Sequence, residues 1–305
     1  PIEKSLFSDT NLSDKLGDYQ VGFRTSYTTK NKKPIRISTS GRYAFPHEEG
    51  LLSGVIYAEK PLGTKGLSLS TIYAYSKTKS IDLFPTLSGK SINKSNSEYI
   101  SLGLSYPIIY QRSSELSVDI TTSIQNSSTD FFIDNVKTNN VNTDLLRAVR
   151  LGINGNKTLR NSNNSFRFEV SQGIDGLSNN LKSGEVKSDL DAKSDFTKFN
   201  LNLTRRQYFT KGINATFMAA GQYAITPMAN PEKFSYGGAN FGRGFKNSNI
   251  FGDSGYALSL KLAKDSIIKK MRISPYIWYD YGSTSDISPS STKEYASTLG
   301  LGLGG

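Results

Sequence analysis

A glycine-rich segment at residues 232–255 holds the side chains best suited to a specific chemistry. Six glycines occur there, and two of them, Gly242 and Gly244, flank Arg243, with Phe245 next in the chain. Glycine permits positive φ and close approach of neighbouring backbone, so this pattern predicts a compact folded loop. Such a loop would insert the guanidinium of Arg243 into a narrow space, where it would need a carboxylate partner.

Candidates for catalysis or metal binding are few. Cysteine is absent and His47 is the single histidine, in a predicted loop beside Glu48 and Glu49. A zinc site would therefore lack nitrogen and sulfur ligands, and a Ser-His-acid hydrolase would have to be built around one histidine. The sequence also has no phosphate-binding loop, dinucleotide fingerprint or paired catalytic carboxylates. We expect no enzymatic activity, no metal and no cofactor.

The net charge of +11 raises the question of nucleic-acid binding. The lysines are scattered, apart from a cluster at Lys30, Lys32 and Lys33 and the pair Lys269 and Lys270. Neither group lies beside a recognition helix or a row of stacking aromatics. We expect these lysines to lie in solvated loops and turns, and no nucleic acid to bind.

Apolar and polar residues alternate in many short runs, which predicts antiparallel strands with one apolar and one polar face. The clearest runs are 99–106, 116–121, 166–171, 198–204 and 256–262. Weaker runs at 19–29, 34–45, 51–60, 66–76, 146–155, 212–224 and 272–282, and one from Tyr295, bring the total to about thirteen strands. No apolar stripe of helical period persists for three turns, so the predicted class is all-β.

The predicted connections alternate between short and long. Tight links are expected at 30–34, 61–66, 108–113 and 209–212, and long polar links at 77–97, 126–144, 175–195 and 225–254. Short turns on one side and long loops on the other are typical of an outer-membrane barrel. Two links depart from this rule, since 46–50 is shorter than expected and 156–164 is longer than a minimal turn.

These patterns together predict a transmembrane antiparallel β-barrel. Hydrophobic residues make up 36% of the chain, and no run approaches the ~18 apolar residues of a membrane-spanning helix. Spanning strands alternate lipid-facing apolar residues with lumen-facing polar ones, so their average hydropathy stays moderate. The 17 tyrosines and 16 phenylalanines often fall at strand ends, where aromatic girdles form.

The alternation also predicts which side chains face lipid and which face the lumen. The expected lipid-facing set is Phe199, Leu201, Leu203, Leu258 and Leu260, and the lumen-facing set is Lys198, Asn200, Asn202 and Lys261. An arginine in place of Leu260 should therefore be costly, and one in place of Ser259 much milder.

Asp280 is the best candidate for the partner of Arg243. The run at 276–282 places Tyr276, Trp278 and Asp280 on one face, and Ile277, Tyr279 and Tyr281 on the other. A charge on a membrane-spanning strand should face the lumen. We expect Arg243 and Asp280 to form an ion pair there.

At these residues the chain resembles the transporters of two-partner secretion, the haemolysin and filamentous-adhesin type, within the superfamily of barrel-assembly factors. The positions that match the signature of the family's sixth loop are Gly237, Gly238, Gly242, Arg243, Gly244, Phe245, Gly252, Asp253 and Gly255. Trp278, Asp280 and Gly282 match an aromatic-x-Asp-x-Gly strand, with Trp where Phe is commoner. Further matches at 60–63, 106–107, 171–174 and 221–223 extend the resemblance over nearly the whole chain.

The resemblance implies a sixteen-stranded barrel whose sixth loop, residues 225–254 here, folds into the lumen so that its arginine meets the strand aspartate. It also implies two POTRA domains that bind the unfolded passenger, and a plug helix. Residues 1–305 would then be an incomplete barrel domain, from about strand two to the start of strand fourteen. The POTRA domains, the plug helix and the last strands would be absent, and strand one missing or reduced to residues 1–14.

The implied function is secretion of a passenger protein with an N-terminal secretion domain, without catalysis. The implied setting is the outer membrane of a Gram-negative bacterium, with lipid and lipopolysaccharide around a monomer. An assembly factor that inserts other barrels is the main alternative, separated by its larger number of POTRA domains. A passive porin would need a constricting loop with opposed charges, and a barrel enzyme would depend on His47.

Overall fold

A computed structural model describes residues 2–10, 19–30, 34–45, 50–84, 89–134, 136–175, 185–245, 247–268, 271–287 and 293–304. His47, Glu48 and Glu49, the lysines at 32, 33, 269 and 270, and most of the link at 46–50 lie outside the described residues. The described chain is almost entirely strand, which confirms the all-β class. No helix in this part of the chain has the length and apolar character needed to cross a membrane.

Fourteen strands have eight or more residues, against about thirteen predicted. They are β1 (Ile2–Asp9), β2 (Tyr19–Thr28), β3 (Arg36–Phe45), β4 (Leu51–Pro61), β5 (Ser68–Phe84), β6 (Gly89–Gln111), β7 (Ser114–Ile133), β8 (Val136–Leu159), β9 (Ser162–Gly173), β11 (Thr197–Tyr208), β12 (Ile213–Ala224), β15 (Ser254–Lys264), β17 (Met271–Ser285) and β18 (Glu294–Gly304). Four short strands complete the set, namely β10 (Glu185–Val186), β13 (Phe234–Tyr236), β14 (Ile250–Gly252) and β16 (Ser266–Ile268).

The long strands form one large antiparallel sheet in chain order, which confirms the predicted fold class. With β10 and β16 the described residues contribute sixteen strands to it, and β13 pairs separately with β14. Among the long strands in those residues, β1 pairs only with β2 and β18 only with β17.

The chain divides into two compact units. Unit 1 comprises residues 1–106, 119–150 and 172–196, and unit 2 comprises residues 107–118, 151–171 and 197–305. The glycine-rich loop, Asp280 and the strands that hold them all belong to unit 2.

The strands of unit 2 alternate as the sequence predicts. Leu201, Leu203, Leu258 and Leu260 are exposed on what we call the outer face of the sheet. The intervening residues of the opposite, inner face include Lys198 and Ser259, which are buried. Apolar side chains that are left exposed in regular alternation are expected where lipid, and not water, is the solvent.

Two of the predicted long links are wrong. Residues 77–97 and 126–144 are largely strand, because β5 and β6 continue to Phe84 and Gly89, and β7 and β8 to Ile133 and Val136. These extensions are rich in Lys, Ser, Thr and Asn and have no sustained alternation of apolar residues, so the period-two pattern does not indicate them. Neighbouring strands that extend together still satisfy each other's backbone hydrogen bonds.

Other links agree better with the prediction. Long connections occur at 174–196 and 225–253, and tight ones at 62–67 and 209–212. The prediction of a longer link at 156–164 is wrong, since β8 and β9 are separated by residues 160–161 alone. Polar residues at both strand ends made this turn look longer than it is.

Candidate functional site

The glycine-rich loop is a folded structure that connects β12 to β15. Its first part makes a turn at Asn230–Glu232, and its hairpin pairs Tyr236 with Ile250 and Phe234 with Gly252. Tyr236 and Ile250 pack with Ala257 of β15 into a small apolar core. We call residues 225–253 the folded loop.

Arg243 of the folded loop lies against Asp280 of β17. The arginine Nε donates to Oδ2 of Asp280 at 3.0 Å, and Nη2 donates to Oδ1 at 2.7 Å. The backbone N–H of Arg243 donates to the same Oδ2 at 3.1 Å. Asp280 is fully buried, and the Arg243 side chain is 18% exposed. A bidentate pair with a further backbone bond fixes both the charge and the position of the loop tip.

Two neighbours complete the surroundings of the guanidinium. Nη2 of Arg243 also donates to Oγ of Ser259 at 2.8 Å, and Ser259 is directly opposite Asp280 in the β15–β17 pairing. The guanidinium carbon lies 4.5 Å from the centre of the Trp278 ring, a cation–π contact. Lysine could not replace this arrangement, because it lacks the planar fork of donors.

The ring of Tyr236 fills the space between the loop tip and β17. A Cβ at Gly242, where φ is +72°, would meet the Tyr236 ring at 2.7 Å, and a Cβ at Gly282 would meet it at 2.2 Å. Glycine is therefore needed at both positions, because any side chain there would collide with the Tyr236 ring. Burial, together with the nearby Asp280 carboxylate, raises the pKa of Tyr236 to about 12, so its hydroxyl stays protonated at neutral pH.

The remaining motif residues surround this arrangement. Phe245 lies 6.2 Å from Tyr236 between ring centres. Four other glycines of the motif lie close to neighbouring segments: Gly238 beside Asn247, Gly244 beside Thr298, Gly252 beside Ser285 and Gly255 beside Phe234. Gly237 has a positive φ.

Asp253 fastens the end of the folded loop. Its Oδ1 accepts from the backbone N–H of Met228 at 2.9 Å, and its Oδ2 accepts from that of Ile287 at 2.8 Å. The first bond ties Asp253 to the start of the loop, and the second ties it to the chain just after β17. This carboxylate is buried and joins these two segments.

A second buried ion pair holds the beginning of the folded loop, and no pattern in the sequence indicates it. Lys198 of β11 donates to the Glu232 carboxylate and to the Glu232 carbonyl, both at 2.8 Å. Gln222 of β12 donates to the same carbonyl at 2.9 Å and to the Asp253 carbonyl at 2.9 Å. Alternation placed Lys198 on the inner face, but only the folded structure reveals which loop residue it meets.

The contacts of this site fasten the folded loop to the sheet. Its charged groups are paired with each other, and its other contacts are aromatic packing and backbone hydrogen bonds. Within the described ranges, no group of three or more histidine, cysteine, aspartate or glutamate side chains is arranged to hold a metal ion. The arrangement can keep residues 225–253 folded against the inner face of β15 and β17.

A family model described as haemolysin secretion/activation protein ShlB/FhaC/HecB matches residues 20–305. The match includes the folded loop and the strands that hold it. The chain belongs to this haemolysin secretion/activation family. The resemblance noted in the sequence is thereby confirmed, although no curated protein matches the sequence at a significant level.

Solved structures with the same fold agree with the family. CdiB from Escherichia coli is similar with a TM-score of 0.78 at 17% identity, over 100% of this chain and 56% of that one. CdiB from Acinetobacter baumannii has a TM-score of 0.68 at 16% identity, over 98% and 53%. BamA from Haemophilus ducreyi, lacking POTRA domains 1–3, has a TM-score of 0.58 at 10% identity, over 92% and 56%.

At these identities the likeness concerns the fold. The chain spans about half the length of the solved relatives it matches. Its family and its sheet make it an outer-membrane β-barrel protein of the Gram-negative type.

Proposed function

We propose that the complete protein is an outer-membrane pore that secretes a partner exoprotein of the adhesin or haemolysin type through its lumen. The observation that carries this proposal is the bidentate Arg243–Asp280 pair, which fastens a glycine-rich loop to the inner face of the sheet in a chain of the haemolysin secretion/activation family. A loop fastened in this way fills part of the passage that a passenger would take.

Chain order supports the view that the folded loop is the sixth loop on its side of the barrel. It follows β12, the eleventh long strand, and precedes β15, the twelfth. On this count β1 is strand one and β18 is strand fourteen of a sixteen-stranded barrel. The complete protein would add two POTRA domains, a plug helix and the last strands.

The inner face suits a chain that slides without binding tightly. Asn200 and Asn202 alternate with outward apolar residues on β11. Small polar side chains of this kind give a wet, weakly interacting wall. The proposed partner is a passenger with an N-terminal secretion domain, and the proposed setting is a monomer among outer-membrane lipid and lipopolysaccharide.

Insertion of other barrels into the membrane is a second candidate, favoured by the likeness to BamA. The two candidate functions differ in which other proteins need this protein to reach their destination. A secretion pore serves one passenger, whereas an assembly factor serves many membrane proteins.

Co-expression with a passenger tests the proposal. The full-length protein should be produced with the exoprotein encoded by a neighbouring reading frame, and passenger in the medium and at the cell surface measured. We expect the passenger to be secreted only when it is produced together with the full-length protein. Deletion of the gene for the full-length protein should leave the amounts of other outer-membrane proteins unchanged. Loss of many membrane proteins, with passenger export unaffected, would instead support the assembly factor.

A further inference from the structure

The outer face of unit 1 changes character along β5 and β6. Ile100, Leu102 and Leu104 are exposed apolar residues on β6. Beyond them toward the β5–β6 link, the outward pairs are Tyr75 with Glu98, Lys77 with Asn96, and Lys79 with Lys94. The outward face is therefore apolar up to Tyr75, and the next two outward pairs, as far as Lys79 and Lys94, are polar or charged. This is the level at which the acyl region of a membrane would give way to its headgroups.

A polar pocket of about 320 Å³ opens at this level. Its lining includes an aromatic ring, amides, carboxylates and a hydroxyl, supplied by Tyr75, Asn96, Glu98, Asn126, Thr143 and Glu185. All of these residues belong to unit 1. Such a mixture of donors, acceptors and one ring is suited to a ligand rich in hydroxyl groups.

The unpaired hydroxyl of Thr143 is a second, independent indication that this pocket binds a ligand. The residue is 6% exposed, and its Oγ1 is buried without a hydrogen-bond partner among the described residues. A buried hydroxyl that lacks a partner destabilises the protein, so an unpaired one in a native site needs an explanation. Beside it, Oδ1 of Asn126 accepts from Nη1 of Arg147 at 2.8 Å. This bond assigns the amide orientation and leaves the amide nitrogen as a donor.

Three lysines lie just beyond the pocket on the same outward face. Lys79 and Lys94 are directly opposite each other, a placement of like charges that is unfavourable unless an anion lies between them. Lys94 is held by the Phe132 ring, whose centre is 4.9 Å from its Nζ. Lys77 lies one outward position closer to the pocket. Anionic groups close to the pocket would offset this repulsion.

We propose that the pocket binds a sugar ring of a phosphorylated glycolipid of the outer leaflet, and that the lysines bind its phosphate groups. The ring of Tyr75 would pack on the apolar side of the sugar. Glu98, Glu185 and the Asn126 amide would bond its hydroxyls, and Thr143 would gain a partner. The inference rests on the proposed function, because it requires the long ends of β5–β8 to lie at the cell surface.

Binding to delipidated full-length protein in detergent tests this site. Purified lipopolysaccharide, its dephosphorylated form, an anionic phospholipid and the free core oligosaccharide should each be titrated and detected by native mass spectrometry. We expect the intact glycolipid to bind most tightly. Thr143→Val should weaken its binding about tenfold, the worth of one hydrogen bond, while leaving thermal stability equal or higher because the unpaired hydroxyl is removed.

The lysine pair is tested by charge removal. Lys79→Gln combined with Lys94→Gln should weaken binding of the intact glycolipid by about tenfold or more. Binding of the dephosphorylated form should be unaffected. Lys264→Gln, an exposed lysine at the far end of β15, serves as the matched control and should change nothing.

Several results would overturn the glycolipid site. One is equal binding of lipopolysaccharide by all variants, and another is phospholipid binding as tight as that of lipopolysaccharide. A third is binding of the free oligosaccharide as tight as that of the lipid-linked form, which would indicate a soluble glycan as the ligand. Failure of the proposed secretion function is separable, because Arg243→Ala should reduce export strongly without affecting glycolipid binding.

Discussion

At the residue scale, the position of Arg243 depends on a few contacts that act together. Asp280 supplies the charge, Ser259 accepts a further hydrogen bond and Trp278 provides a ring face. The Tyr236 ring fills the remaining space and requires glycine at two positions. Residues far apart in sequence therefore have to match in size as well as in charge.

Gly282→Ala should loosen the folded loop. The added Cβ would lie 2.2 Å from the Tyr236 ring, and overpacking of this kind costs about 1–3 kcal/mol. Trypsin cleavage after Lys233 or Arg243 in detergent-solubilised protein should become faster. Gly221→Ala is the control, because its Cβ would meet nothing closer than 3.8 Å. Equal cleavage of both variants would mean that Tyr236 does not hold the loop.

The Arg243–Asp280 contact could be predicted from the sequence, whereas the Lys198–Glu232 contact could not. A glycine setting, the strand alternation and the family motif all indicate the first pair. For the second pair, alternation indicates only that Lys198 faces inward. Its partner depends on the turn at Asn230–Glu232, and no local pattern in the sequence fixes the direction of that turn.

Lys198→Met should destabilise the folded loop by leaving Glu232 buried without its cation, at a cost of about 3–5 kcal/mol. Adding Glu232→Gln should recover part of this loss, because the uncompensated charge is removed. Thermal unfolding in detergent and proteolysis of the loop would measure both effects. Lys264→Met provides the exposed control. If the single and double variants were equally unstable, the ion pair would not be the cause.

At the scale of elements, period-two alternation identified the strands wherever one face is apolar. It failed where β5 to β8 extend beyond the apolar band, since polar residues dominate there and the apolar ones do not alternate over a sustained run. It predicted a much milder effect for an arginine at Ser259 than for one at Leu260. It did not indicate that Ser259 is buried beneath Arg243 and directly opposite Asp280.

Leu260→Arg should destabilise the protein in lipid by about 2–4 kcal/mol if the residue lies near the bilayer midplane. Leu260 is 45% exposed on the outer face, where an arginine would have to enter lipid. Asn202→Arg, on the exposed part of the inner face, is the matched control and should cost below about 1 kcal/mol. Urea unfolding of both variants in lipid vesicles gives the comparison, and equal losses would contradict the assignment of the two faces.

At the scale of the whole molecule, the folded loop is fastened at both ends and at its tip. Lys198 and Gln222 hold its beginning, Asp253 its end, and Asp280 the tip through Arg243. The fold class and the tip contact were predictable from the sequence, because both depend on residue patterns along the chain. The anchors at the base depend on how the loop turns back onto the sheet, so they required the structure.

The central claim is that Arg243 and Asp280 act as one unit in secretion. The most direct test is passenger secretion by the full-length protein carrying Arg243→Ala, Asp280→Ala or both, with insertion into the outer membrane measured in parallel. Arg205→Ala, an exposed arginine on β11, controls for loss of charge. Each single variant should reduce secretion strongly while insertion is retained, and the double variant should be no worse than the poorer single variant. Losses that multiply in the double variant, or normal secretion by Arg243→Ala, would contradict the account.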